Sequence, residues 1–152
     1  MATQLSADDA RQSMNTHVAT RGAEIRAKYG PQIGWEQLQQ ILQDRTCVRY
    51  PCEIVFDDAG LEAGELAHPQ AKGERPEDGF IMSVRRVFQD NLDAAVAIIL
   101  YQLVLVNYGA FASAADAESF GASILGISTE DYYQRLCALW DGMESVRIAQ
   151  NA

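Results

Sequence analysis

The run from Asn91 to Gly109, NLDAAVAIILYQLVLVNYG, constrains the fold of this chain more than any other stretch. Between Ala94 and Val106 its one strongly polar side chain is Gln102. A helix that is apolar on every side has to be buried, so the remaining segments must wrap it. The ends fit a helix. Asn91 can accept a hydrogen bond from a free N–H of the first turn. Asp93 places negative charge at the positive end of the helix dipole. Gly109 can adopt the left-handed backbone that stops a helix. The apolar part falls short of the roughly 20 residues a bilayer span needs. The expectation is therefore a core helix, with no membrane partner.

A chain of 152 residues suits one domain, 1–152, with a real core. Ser6-Ala7-Asp8-Asp9 has the spacing of a capping box, with Asp in place of Glu or Gln, and predicts a helix to about Tyr29. Its apolar positions, Met14, Val18 and Ile25, form a thin stripe and predict a surface helix. Gly30-Pro31 should end it. Trp35, Leu38, Ile41 and Leu42 recur at helical spacing and predict a helix over 34–44. Residues 1–45 thus form an N-terminal helical part.

Cys52–Phe56, CEIVF, and Phe80–Val84, FIMSV, alternate in the manner of strands, with Pro51 at a permitted strand start. The stretch 57–78 between them is rich in Gly, Pro and acid and reads as a long loop, of the kind that often carries function. Whether it covers a cleft is open from the sequence. Ser113 and Ser128 begin two more capped helices, the second expected over 128–146 and to fray beyond Met143. The predicted class is α+β, with a small sheet of two to four strands, a buried central helix and flanking helices.

A net charge of −9 argues against nucleic acid and anionic membrane as partners. The N-terminus lacks the basic-then-apolar pattern of a leader. Three cysteines, Cys47, Cys52 and Cys137, suggest a reducing compartment rather than a disulfide framework. Together these give the cytoplasm as the expected location. Cys52 and Cys137 read as core residues and Cys47 as more exposed.

The order strand, loop, strand, apolar helix, capped helix over about Cys52 to Gly126 resembles the minimal zincin metalloprotease fold, of the gluzincin kind. FIMSVRRVFQDNLDAAVAIILYQLVLVNYG looks like that family's strand and active-site helix, and ADAESFGASIL like its acidic helix. The resemblance implies a cleft bordered by the strand before the helix. It also implies an H-E-x-x-H motif and an acidic third zinc ligand. In this chain the first histidine falls on Tyr101, the glutamate on Gln102 and the second histidine on Leu105. The acidic ligand falls on Asp116, or second on Glu118. Zinc chemistry needs paired imidazoles, a third ligand and a carboxylate base. Leu105 has no lone pair and Gln102 is no base. The expectation is a zincin-like frame with no catalytic residues, no metal and no cofactor.

Several residues carry two readings. Gln102 reads first as a core glutamine bonded to backbone or to Tyr108, and second as part of a vestigial cleft that binds a peptide or small ligand. His17 reads as solvent-facing. His68 reads as a loop histidine; its alternative is a rebuilt metal site of a hydrolase with Asp116 and Glu118. Arg85 reads as an ion-pairing surface residue or an anion ligand. Asp57, Asp58, Glu62 and Glu65 read as a solvated acidic loop. The preferred function is binding, with an unknown peptide or protein as partner, laid along Phe80–Val84 by strand addition. A third reading, a structural module that forms homo-oligomers, rests on six Tyr and two Trp as interface anchors.

Overall fold

The computed structural model describes residues 6–150, with side chains as far as residue 145. The N-terminal five residues read for a leader lie outside that range. The main elements run α1 (Ala7–Tyr29), α2 (Trp35–Gln43), β1 (Cys52–Phe56), β2 (Ala67–Ala71), β3 (Phe80–Val84), α3 (Leu92–Tyr108), α4 (Ala114–Leu125) and α5 (Thr129–Gln150). The class is α+β. Short 3-10 turns link several of these elements.

The caps act as their sequences predict. Ser6 and Asp9 complete a reciprocal box on α1, as Ser113 and Asp116 do on α4. Asn91 accepts from the Ala94 N–H at 3.3 Å, and Gly109 at φ +61° ends α3. Ser128 accepts from the Asp131 N–H at 3.0 Å and starts α5. That helix continues to Gln150, past the expected fraying point.

Every residue of α3 from Ala94 to Leu100 is buried. Burying each large aliphatic side chain contributes about 1.5–3 kcal/mol, so this helix is the largest apolar contribution in the chain. With its following turn, the span Leu92–Phe111 is in fact long and apolar enough to cross a membrane by length and composition. The sequence reading of the run as too short is corrected here, because the helical span takes in Leu92 and the turn after Tyr108. Within the fold the helix is a core element, enclosed by the sheet, α2, α4 and α5.

The sheet has the order β1-β3-β2, with β1 parallel and β2 antiparallel to β3. Two expectations change. The stretch 57–78 is not one loop, since it contains β2. Phe80–Val84 is the middle strand, so neither of its edges is free to accept a peptide. The missed strand, AHPQA, has weak β character and a proline at its centre. Register explains how the proline is tolerated. The Arg85 N–H donates to the Leu66 carbonyl at 3.0 Å, and the Lys72 N–H to that of Gly79 at 2.9 Å. Paired residues in an antiparallel ladder alternate, so His68 and Gln70 bond β3 while Ala67, Pro69 and Ala71 turn their backbone groups outward. Pro69 therefore costs no ladder bond, and it blunts the free edge.

α3 packs on β2 and β3, and α2, α4 and α5 contact α3 in turn. The opposite side of the sheet is partly covered by the turn Asp58–Gly60, where Gln70 Nε2 donates to the Gly60 carbonyl at 3.0 Å.

α1 is not a surface helix on a weak stripe. Val18, Gly22 and Ile25 are buried against α4. The stripe is thin because the two backbones approach closely at Gly22. A Cβ there would sit 2.7 Å from Ser123 Cβ and 2.8 Å from the Phe120 carbonyl oxygen. Asn15 adds a polar latch: its Nδ2 donates to Asp116 Oδ1 at 3.2 Å and to the Ala115 carbonyl at 3.2 Å, and its Oδ1 accepts from Ser119 Oγ at 3.1 Å. His17 is exposed and meets Tyr108 edge-on, ring centroids 5.7 Å apart.

Candidate functional site

A cleft of about 340 Å³ opens between the start of β2 and the helices α3, α4 and α5. Three of the residues singled out by the motif position meet in it. Ile98, Tyr101 and Gln102 form its floor on one face of α3, and Glu118 enters from α4. Tyr133, Cys137 and Trp140, spaced one helical turn apart on α5, form one side. Gly64, Glu65, Leu66 and Ala67 form the other, so the end of the stretch 57–78 does border the cleft.

The β2 wall is tied down. Arg85 donates from its backbone N–H to the Leu66 carbonyl, from Nε to the Glu65 carbonyl at 2.7 Å, and from Nη2 to the Glu62 carbonyl. Arg85 thus holds the chain itself and is not among the residues lining the cleft, which corrects the reading of Arg85 as a ligand contact there. The acids nearby are also engaged. Asp57 accepts from the Ala59 N–H, Asp58 from the Arg86 N–H at 3.0 Å, and Glu65 Oε1 from the Glu62 N–H at 2.9 Å. Asp57, Asp58 and Glu62 are exposed, as a solvated acidic loop requires, and the carboxylates of Asp57, Asp58 and Glu65 also shape the backbone.

Gln102 differs from these engaged acids. Its Oε1 is buried and accepts no hydrogen bond. The reading of a core glutamine bonded to backbone or to Tyr108 is corrected by that atom. A buried acceptor left without a partner costs about 1–3 kcal/mol. Tyr101 is half-buried beside it, and burial, then the charge of Glu118, pushes its phenol above the ordinary value. Tyr133 is also raised, first by a hydrogen bond with Cys137. Tyr132, one residue before it, is fully buried and donates to the Ala97 carbonyl at 2.5 Å, which fixes α5 against α3.

The other candidates lie elsewhere. Leu105 and Asp116 border a different hollow, of about 750 Å³, toward the C-terminal end of α3. Asp116 is buried and committed: Oδ2 accepts from the Ser113 N–H at 2.9 Å, and Oδ1 from Asn15. The sequence ranked it above Glu118 as the acidic position; the cleft holds Glu118 instead. His68 is not in a loop but on β2. Ala67 lines the cleft, and side chains alternate along a strand, so His68 faces the far side of the sheet. There its Nδ1 lies 3.4 Å from Glu65 Oε2. His68, Asp116 and Glu118 do not converge, and the rebuilt hydrolase site loses its ligand set.

The positions that the resemblance assigns to zinc do not fit it. Leu105 offers no donor atom and is outside the cleft, and Asp116 is used as a cap. Among the described residues no three His, Cys, Asp or Glu side chains gather closely enough to hold a metal ion.

The cysteines divide by burial. Cys47 is buried, not exposed, and its thiol is raised by that burial. It sits where Asn107 Nδ2 donates to its carbonyl at 2.9 Å. Cys52 is buried and pushed up to about 11. Cys137, read as core, borders the cleft.

Trp140, Tyr133 and Ala67 were missed as cleft residues. A hint lay in the spacing of Tyr133, Cys137 and Trp140 on one helical face, but nothing local says what that face meets. No family model, no curated protein and no solved structure matches this chain.

Proposed function

We propose that this chain is a binding protein on a zincin-like frame that lacks the zinc site, and that its cleft takes a small ligand or a single peptide side chain. The observation that carries the reading is Gln102 Oε1. It is a buried acceptor without a partner in a cleft, at the position the resemblance gives to the catalytic base. A group whose desolvation is uncompensated in the free protein is a natural contact for a ligand donor. The succession α3, α4 brings Tyr101, Gln102 and Glu118 to one opening, while the strand side of that opening is the start of β2 and not Phe80–Val84.

A peptide laid along Phe80–Val84 is no longer part of the reading, because β1 and β2 occupy both edges. The outer edge of β2 borders the cleft but is interrupted by Pro69. A volume near the lower end of the range for ligand pockets also favours one side chain or a small molecule over a long segment.

The test is an amide-resonance titration with fragments and short peptides, alongside zinc analysis of the purified protein. Saturable shifts at Tyr101, Gln102 and Glu118, without stoichiometric zinc, are expected. Stoichiometric zinc that disappears in a Tyr101→Phe, Glu118→Gln double variant overturns the reading.

A further inference from the structure

The chemistry of the cleft walls narrows the class of ligand, on the premise that the cleft binds one. Gln102, Glu118 and Tyr101 line the space and carry acceptor oxygens, with Gln102 Oε1 itself buried; Glu65 also lines it, its carboxylate engaged by the Glu62 N–H and beside His68. Among the described residues no Lys, Arg or His lies within ion-pair distance of Glu118. No Lys or Arg side chain borders the cleft either. The remaining surface is apolar and aromatic, from Ile98, Leu136, Tyr133 and Trp140. Aromatic faces next to an unpaired carboxylate favour an organic cation.

We infer that the cleft selects a primary ammonium on a short apolar stem. An ammonium has three donors, and Gln102 Oε1, Glu118 and Tyr101 present three acceptor groups. Its charge neutralises the unpaired Glu118 carboxylate, and the stem lies against Ile98, Leu136 and Trp140. An anion would meet Glu118 with no compensating cation. A neutral alcohol of the same length would leave that carboxylate unneutralised. A divalent metal would find one unengaged carboxylate, since Glu65 already accepts from the Glu62 N–H and lies beside His68, and neutral oxygens, fewer hard ligands than such ions take. The ammonium can come from a free amine or from a lysine side chain of a peptide, and the two are separable by experiment.

The full chain would be titrated with pentylammonium, 1-pentanol, pentanoate, tetramethylammonium, calcium and Nα-acetyl-lysine amide, following amide resonances of Tyr101, Gln102 and Glu118 and the Trp140 indole. Pentylammonium is expected to saturate these shifts at least tenfold more tightly than pentanol, pentanoate, tetramethylammonium or calcium. Binding of the lysine amide at the strength of pentylammonium would identify a peptide side chain as the source; weaker binding would identify a free amine. Glu118→Gln is expected to weaken pentylammonium at least tenfold, and Gln102→Met severalfold, each with an unchanged circular dichroism spectrum. Should Glu118→Gln fail to fold, Gln102→Met carries the test. Equal binding by pentanol or pentanoate, or full-strength pentylammonium binding to the variants, overturns the ammonium selectivity and leaves the binding reading standing. If no probe, including the fragments and peptides above, moves the cleft resonances, both fall.

Discussion

Trp140 donates its indole N–H to the carbonyl of Gly64 across 2.9 Å, and this bond joins the two opposite walls of the cleft. One partner lies on α5 and the other precedes β2. Arg85 holds the same stretch from below through three carbonyl contacts. The cleft is therefore a braced opening rather than a gap between loosely packed elements.

Replacing Trp140 by Phe keeps an aromatic face and removes the donor. A typical internal hydrogen bond contributes about 0.5–1.5 kcal/mol net, and the partly exposed indole puts this one within that range. Chemical denaturation should show a loss of about 1 kcal/mol, and hydrogen exchange should quicken over Gly64–Ala67. Unchanged exchange there would show that the bond does not brace the wall.

Gln102→Met nearly conserves volume and removes the buried oxygen. Without ligand, the variant should be more stable by about 1 kcal/mol, since the desolvation cost of an unpartnered acceptor disappears. Stability would be read from urea unfolding. A clear loss instead would mean that the oxygen is satisfied in solution.

Gly22→Ala sets two effects against each other. In a helix interior, alanine is favoured over glycine by about 1 kcal/mol. Here the added carbon meets Ser123 Cβ at 2.7 Å and a backbone oxygen of Phe120 at 2.8 Å, so α1 and α4 must separate. Overpacking of this kind costs about 1–3 kcal/mol, and a net loss is expected. A raised melting temperature would contradict the close approach.

Asp44 gathers Lys28, Tyr29 and Thr46 around one carboxylate, with Oδ2 2.6 Å from the Tyr29 hydroxyl and Oδ1 2.9 Å from the Thr46 N–H. The hydrogen bond from Lys28, then those from Thr46 and Tyr29, hold its carboxyl far below the usual range. A depressed folded value gives stability that is full above the unfolded value, near 4, and is lost as pH falls below it. Asp44→Asn should lower stability at pH 7, and the gap from the parent should shrink as pH falls from about 5 toward 2. A constant gap across that range would contradict the assignment.

Thiol titration of the native protein should label Cys137 first and Cys52 last. Cys137 borders the cleft, whereas Cys47 and Cys52 are buried and raised by desolvation. Cleft occupancy should then slow the Cys137 reaction alone. Simultaneous reaction of all three would point to global opening instead.

Much of the frame was legible because its signals are local. Capping boxes at Ser6 and Ser113 join residues three apart, and the buried character of α3 is written in its own composition. The bounds of β1 and β3 follow from alternation. β2 escaped because AHPQA, although it alternates, has no β-branched or large apolar residue and carries a proline at its centre; its pairing energy comes from β3. The site was half legible. Tyr101, Gln102 and Glu118 were singled out and do meet, but Asp116 and Leu105 were grouped with them and do not. Two residues apart on α4, Asp116 and Glu118 differ by about 200° around the helix axis, and only packing decides which of the two faces the cleft.

By itself, then, the sequence determined the α+β class, the helix ends and the need to enclose Asn91–Gly109, since these depend on propensity, capping and period within a few residues. Tertiary structure alone decided that Phe80–Val84 is a middle strand, that Gly22 is a close crossing, and that Trp140 meets Gly64. Those contacts join residues 76 to more than 90 positions apart in two of the three cases. Which apolar face meets which is a matter of three-dimensional packing, and a one-dimensional pattern carries no record of it.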